Sequence, residues 1–414
     1  MSHLIEIYSD GVIKDVADYL ILIDFGGDEK YAADAINYVY TKLKAQSDKR
    51  GLAKFDLTVI SHQDKDHLVL LGPLGVKITE GIANGDIKQI QFGGVFLGGV
   101  AWDQKNKNTV DTFFGISKTR PQYNWSENQR SDYLNVNSRS NLGKLDEFPG
   151  VAGFAFRVLI SQLAVPGLTK SQEDIKRNAS STVIVIENGK DAVILPGDAT
   201  YHTMKYITDL YTSWGINLLI PAVRALEVPH HGAIRTAVEN YLASSKADEV
   251  NMDIVKKFAK DLAPLEAFAS AGNLPNHGHP VYEVLEIFKN KVGFKVENHT
   301  YVAYAFDEKG DKKKEHYHEY ATTDAIRTTL VSFLNGLVWK NITIELPKVG
   351  TDSAVEAKYT LAELLIRDGL TPPPEMLRSR TSGTPPAPPP PFVVYAPAPT
   401  PEEAASKPDE AKPE

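Results

Sequence analysis

His62-Gln63-Asp64-Lys65-Asp66-His67 comes one residue after the apolar run Phe55-Asp56-Leu57-Thr58-Val59-Ile60. A short apolar run rich in β-branched residues predicts a buried strand over residues 55–60. The six residues that follow hold four potential metal ligands. A solvated polar turn explains each of them singly but explains the cluster poorly. A core histidine would not bring two carboxylates within the next four positions. A turn at a strand end can aim His62, Asp64, Asp66 and His67 at one point, which makes all four candidate ligands.

The same plan recurs further along. Ala192-Val193-Ile194-Leu195-Pro196-Gly197-Asp198 is an apolar strand, a glycine turn and a carboxylate at its tip. Alone this is weak, because Gly-Asp is an ordinary turn pair. Leu226-Glu227-Val228-Pro229-His230-His231-Gly232-Ala233 sets two adjacent histidines before a glycine, and Asn276-His277-Gly278-His279-Pro280 offers two more. Six of the eleven histidines therefore fall in three short clusters flanked by glycine or carboxylate, a concentration that surface solvation does not explain.

The chain has no cysteine. Disulfides, thiolate metal sites and cysteine nucleophiles are excluded together, so a bound metal must rest on His, Asp or Glu. A formal net charge of −8 argues against a broad basic field for nucleic acid, although bound cations would reverse the sign inside a cleft. The opening residues lack a basic segment followed by an apolar core, and no stretch approaches the roughly 18–20 apolar residues of a membrane span. The expectation is a cytoplasmic protein with no membrane partner.

Around these motifs, strands are expected at residues 19–24, 87–92, 154–160, 182–186, 192–195 and 217–220. Helices are expected at about 30–45, 201–213, 234–245, 250–260 and 280–290. Strands and helices mixed with hairpins predict packed layers with a partly antiparallel sheet. Residues 101–150 are rich in Asn, Ser, Lys, Arg and Asp with scattered aromatics, which predicts a polar insertion or lid. Residues 347–370 read as a short helical extension. Residues 371–414, dominated by Pro, Ala, Ser and Glu, are expected to be disordered. The run Pro388-Pro389-Pro390-Pro391-Phe392 is a candidate ligand for a partner's aromatic groove, although such a tail also serves as a linker.

Taken in order, His-x-Asp-x-Asp-His after a strand, Gly-Asp and Pro-His-His-Gly resemble the metallo-β-lactamase superfamily. The most similar subgroup is the hydrolase domain of ComEC-type competence DNA-uptake proteins and its stand-alone relatives. That subgroup carries Asp where most of the superfamily has a second His, as at Asp64. Asn178 and Ser181 ahead of a strand, Gly278-His279-Pro280, and Thr322-Thr323-Asp324-Ala325-Ile326 look like further subgroup motifs, and Asp24-Phe25-Gly26 looks like the early Asp-x-Gly. The resemblance covers roughly residues 4 to 330. Two features depart from it. The subgroup's Gly-Gln-Gly-Asp is missing, with only Ser9-Asp10-Gly11 nearby, and Ala233 stands where a Ser is usual. A third-motif His also has no evident counterpart.

The resemblance implies an α+β fold, the αββα sandwich of two mixed sheets flanked by helices, over residues 1–346. It also implies two divalent ions, Zn²⁺ or Mn²⁺. His62, Asp64 and a more distant group would hold one of them in a thin shell, and Asp66 and His67 the other, with Asp198 bridging. His231, or His230 as the close alternative, completes the second. Asp66 and His279 are the expected catalytic groups, Asp66 as a base orienting water and His279 either at the leaving group or as a further ligand. Replacing an imidazole by Asp64 hardens the site toward Mn²⁺.

A phosphodiesterase or nuclease acting on nucleic acid or a nucleotide is the first functional expectation. It is helped by Lys105, Lys107, Lys118, Arg120, Arg130 and Arg139 lying among aromatics on which bases could stack. A small-ester or lactone hydrolase is the alternative within enzymes. An interaction module with a structural or idle metal site is the alternative outside them.

Overall fold

The computed structural model describes most of residues 1–346. The segments 126–143, 148–153, 168–172, 215–221, 234–245, 271–278, 290–294, 307–311 and 347–414, with a few shorter gaps, are not described. The expected strand at 217–220, the helix at 234–245, the helical extension and the Pro-rich tail lie outside the described residues.

Two sheets form the middle of the molecule. The first contains β1 (Ser2–Ile7), β2 (Tyr19–Phe25), β3 (Ala53–Ile60), β4 (Ile90–Leu97) and β5 (Tyr123–Trp125), in that order. Its β1–β2 pair is antiparallel, and the pairs from β2 to β5 are parallel. The second sheet draws on β6 (Lys144–Glu147), β7 (Ala155–Ile160), β8 (Val183–Glu187), β9 (Asp191–Leu195), β10 (Ala222–Glu227) and β11 (Glu266–Ala269). A hairpin of β12 (Lys295–Phe306) and β13 (Lys312–Asp324) leads into β14 (Ile326–Thr328), and the second sheet runs β14-β11-β10-β9-β8-β7-β6. It is parallel from β14 to β9 and antiparallel from β9 to β6.

Side-chain alternation explains why the sheets stack. Along β8 and β9, Ile184, Ile186, Val193 and Leu195 face one way and meet Ile21, Ile23, Leu57 and Val59 of the first sheet. Val183, Val185, Ala192 and Ile194 face the other way, toward helices. Strands buried on both faces must be apolar throughout, which is why these runs show no polar alternation. Outside the first sheet lie α1 (Ala33–Arg50), α3 (Leu71–Ala83) and α4 (Gln104–Phe114), with the single turn α2 (Lys65–Leu68) between β3 and α3. After α5 (Glu173–Ala179), the helices α6 (Tyr201–Trp214), α7 (Lys246–Leu262) and α8 (Tyr282–Lys289) supply Met204, Phe258 and Leu285 to the core on the outer face of the second sheet. The layer order is therefore helix, sheet, sheet, helix, the αββα sandwich of two mixed sheets.

Several elements differ from expectation for identifiable reasons. β4 runs through Gly93 and Gly94 instead of stopping before them. It lies so close to β3 that a side chain at Gly93 would collide with the Asp56 carbonyl, so glycine there fits the strand and does not end it. Within the polar stretch, α4 forms behind an Asp103 cap whose carboxylate accepts from Asn106 N, as N-cap chemistry favours. Trp102, Val110, Phe113 and Phe114 bury themselves in the core. The start of that segment is thus an amphipathic helix. The strand β10 lies at 222–227, leading directly into the paired histidines.

Candidate metal centre

The strands β2, β3, β9, β10 and β11 deliver their C-terminal ends to one rim, where the loops carrying the candidate ligands meet. Asp24 closes β2 in a left-handed conformation, φ 49°. Its buried carboxylate accepts Ser61 N and Ser61 Oγ–H, both at 2.7 Å, and faces His67 Nδ1 at 2.8 Å. Gly26, two residues on, packs so tightly on the 62–67 turn that a Cβ would overlap the Asp66 carbonyl. The early Asp-x-Gly thus clamps the ligand turn from below.

Asp198 is the centre of the cluster. It is 2% exposed, and its two oxygens face different neighbours. Oδ1 lies 3.0 Å from His67 Nε2 and 3.7 Å from His231 Nε2. Oδ2 lies 3.6 Å from His62 Nε2 and 3.5 Å from His230 Nε2. On the Oδ1 side, His231 Nε2 is also 3.3 Å from Asp66 Oδ2. On the Oδ2 side, His62 Nε2 is 3.7 Å from Asp64 Oδ2, and Arg177 of α5 holds the other Asp64 oxygen at 3.1 Å. Gly197 permits this geometry: it sits at φ 55°, with Ser181 and Ser61 where a side chain would go. Ser181 Oγ accepts from Asp198 N at 3.2 Å.

The imidazoles are turned the same way. His67 Nδ1 is bonded to Asp24, His62 Nδ1 lies 3.1 Å from Ser61 Oγ and 3.3 Å from Ser181 Oγ, and His231 Nδ1 is 3.2 Å from the Ser270 carbonyl at the end of β11. An acceptor at each Nδ1 turns the opposite edge of the ring, with Nε2, inward. With a cation in place Nδ1 would keep the proton while Nε2 faced the ion, the arrangement of metal-ligating histidine. Nε2 of His62 and of His231 is buried without a hydrogen-bond partner. Buried polar atoms are rarely left so, and a cation satisfies both.

The charges point the same way. Burial alone would raise the Asp198 carboxyl, yet the imidazoles of His230, His67 and His62 hold it well below the carboxylate range. Burial opposes protonation of His67, but Asp198 and Asp24 on either side push it well up. His62 is pushed up to about 9 by Asp198 and Asp64, against burial and the neighbouring His67. Buried carboxylates that stabilise protons on adjacent imidazoles would stabilise a cation in their place. One ligand atom each from Asp66, His67, Asp198 and His231 lies within 4.8 Å of the others. These residues fit a metal ion.

His279 stands at the edge of the cluster, its ring stacked on His231 with centroids 5.1 Å apart. Burial and the nearby His231 and His230 hold it well below the ordinary imidazole value, so it is neutral. Residues 276–278, including His277, lie outside the described residues. Arg177 was not among the residues singled out by sequence reading. Its position one residue before Asn178 in the Asn…Ser segment was the available signal.

No protein-family model matches the chain, and no curated protein sequence matches it. Among solved structures it is similar to the metallo-β-lactamase fold protein YhfI from Bacillus subtilis, at 15% identity over 61% of this chain and 73% of that one, TM-score 0.31. It is also similar to a diphosphatase from the PhnP family, at 14% identity over 60% of this chain and 68% of that one, TM-score 0.25. A third is Zn(2+)-bound PqqB from Methylobacterium extorquens, at 12% identity over 56% of this chain and 63% of that one, TM-score 0.27. With likeness this distant, the side chains of this molecule decide its chemistry. The buried cluster of Asp66, His67, Asp198 and His231 is a set of side chains that could hold a metal ion.

Proposed function

We propose that the chain is a metal-dependent hydrolase acting on phosphodiesters, with two divalent cations, Zn²⁺ or Mn²⁺, as its cofactor. Asp66, His67, His231 and Asp198 Oδ1 would hold one cation, and His62, Asp64 and Asp198 Oδ2 the other. When bound, such a pair lowers the pKa of water and stabilises charge on attacked and leaving oxygens. The observation that carries the reading is the buried Asp198 carboxylate with imidazole Nε2 atoms on both of its oxygens.

The protein's own groups supply the rest. Asp24 and the Ser270 carbonyl fix the rings of His67 and His231. Asp66 has a half-exposed side chain, and against burial His231 and His67 hold its carboxyl ionised, well below the usual carboxylate range. It can therefore accept a hydrogen bond from water entering the site and orient it. His279, neutral and beside His231, can hydrogen-bond a leaving oxygen. Arg177 is partly exposed and already paired with Asp64. A planar guanidinium at the site rim suits a phosphate better than a neutral ester, which favours phosphodiesters over lactones.

The aromatic residues give a phosphodiester reading less support than the sequence alone offered. Trp102, Phe113 and Phe114 are buried in the core and cannot stack on bases. Lys105, Lys107 and Lys118 lie at or near the surface of the α4 segment, whereas Arg120, Arg130 and Arg139 are outside the described residues.

The test is hydrolysis of a nitrophenyl phosphodiester by the full chain loaded with Zn²⁺ or Mn²⁺, run beside a lactone panel. Turnover of the diester that disappears in Asp198→Ala supports the assignment. Turnover of lactones alone points to ester chemistry. Metal binding with no turnover of either, and cellular effects that persist in Asp198→Ala, would make this an interaction module.

A further inference from the structure

His230 and His231 are neighbours in sequence, and neighbouring side chains ordinarily diverge, to opposite faces of a strand or about 100° apart around a helix. Here both residues sit in the left-handed region, φ 48° ψ 50° and φ 54° ψ 16°. That conformation is unfavourable for a residue with a Cβ, and such strain persists only where its surroundings impose it. The surroundings are visible. His230 N donates to the Gly197 carbonyl at 3.0 Å, Ala233 N to the His230 carbonyl at 2.7 Å, and Val281 N to the Gly232 carbonyl at 3.0 Å. The first of these bonds ties the histidine turn to the turn that carries Asp198.

The strained turn sets the two rings edge to face, centroids 6.2 Å apart, so that they straddle one carboxylate. His230 Nε2 addresses Asp198 Oδ2 at 3.5 Å and His231 Nε2 addresses Asp198 Oδ1 at 3.7 Å. His62 and Asp64 lie on the Oδ2 side, and His67 and Asp66 on the Oδ1 side. We infer that the adjacent histidines serve different cations: His231 completes a site with Asp66, His67 and Asp198 Oδ1, and His230 completes a site with His62, Asp64 and Asp198 Oδ2. This rests on the metal-centre reading above and deepens it. His230 fills the shell that sequence reading left thin, and the two sites become matching sets of two imidazoles and two carboxylates. They differ in charge, because Arg177, shared with Asp174, pairs with Asp64 in the His230 site, whereas the Asp66 carboxylate has His231 and no arginine or lysine beside it among the described residues. The His230 site is therefore the weaker of the two.

The test uses the full chain, stripped with a chelator and titrated with Co²⁺, read by elemental analysis and the visible Co²⁺ spectrum. His230→Gly and His231→Gly suit the left-handed backbone, so both variants should keep the fold, checked by circular dichroism. The expected result is one Co²⁺ lost from each, with the affinity for that ion falling by more than the roughly 10–100-fold that loss of an outer-shell partner costs. Combining His230→Gly with Asp64→Ala should leave the remaining ion bound, whereas combining it with Asp66→Ala should abolish binding. Wild-type protein should fill its two sites with unequal affinity, and Arg177→Ala should tighten the weaker one. Two ions bound unchanged by His230→Gly, or loss of both ions in His230→Gly with Asp64→Ala, would overturn the split. A wild-type chain that takes up no Co²⁺ would overturn the metal centre itself.

Discussion

His67 and Asp198 stand 131 residues apart in the chain, yet His67 Nε2 lies 3.0 Å from Asp198 Oδ1. On its far side His67 Nδ1 lies 2.8 Å from Asp24. One imidazole is thus held between two buried carboxylates, one at the end of β2 and one past the end of β9. The two sheets of the sandwich meet chemically at this residue.

Buried Asp24 bonds Ser61 and His67 and so sets the His67 ring. Asp24→Asn keeps its shape and removes its charge. The expected outcome is a fall in cation affinity of roughly 10–100-fold, the usual cost of losing an outer-shell carboxylate. Titration with Zn²⁺ against a competing chelator checks it, and unchanged affinity would show that Asp24 serves the fold alone.

Gly26→Ala should be costly, because the added Cβ meets the Asp66 carbonyl and His67 N. Overpacking of this kind costs about 1–3 kcal/mol, and relief by shifting the 62–67 turn would weaken cation binding as well. Gly72→Ala in α3 meets nothing within 4 Å and should be neutral or stabilising by up to about 1 kcal/mol. Denaturant melts of the two variants separate the effects.

Arg177→Ala should raise KM for a phosphodiester by roughly 10- to 150-fold, the equivalent of one charged hydrogen bond of about 1.5–3 kcal/mol. Hydrolysis of a neutral ester, if any, should be unaffected. Equal losses on both substrates would show that Arg177 acts through Asp64 alone and does not touch substrate.

Away from the centre, Tyr282, Tyr320 and Tyr301 stack in a row, with Tyr301 O–H donating to Glu286 at 2.7 Å. Burial, with Glu283, Tyr282 and Glu286 nearby, pushes the Tyr320 phenol up to about 12. A phenol raised in the fold above its unfolded value of about 10 contributes stability that is whole below pH 10 and is lost as pH climbs toward 12. Thermal melts should decline through that window, and the decline should be shallower in Tyr320→Phe. A Tyr320→Phe profile parallel to wild type would contradict the shift.

Much of this was legible in the chain. The apolar runs at 182–186 and 192–195 are buried on both faces, and their lack of polar alternation says so; the run at 55–60 is a strand whose Asp56 is only partly buried. His62, Asp64, Asp66, His67, Asp198 and the paired histidines do converge. The amphipathic helices α3 and α4 were missed, α4 because a helix with one buried face and a polar exterior looks like loop when its aromatics are scattered among Asn and Lys. Strand β1 was also missed; it is short and pairs on one side only. The division of labour between His230 and His231 could not be read from sequence. It depends on two consecutive left-handed residues, a conformation that histidine does not advertise. Arg177 was hidden for a similar reason, since only the fold brings α5 against Asp64.

Metal content of the purified full-length chain, measured for wild type and Asp198→Ala after identical loading with Zn²⁺ or Mn²⁺, tests the centre most directly. About two ions per chain are expected in the wild type, as for a dinuclear hydrolase, and fewer than one in a variant that has lost the carboxylate shared by both sites. Equal metal content in the two proteins, or none in the wild type, would contradict a cation centre built on Asp198.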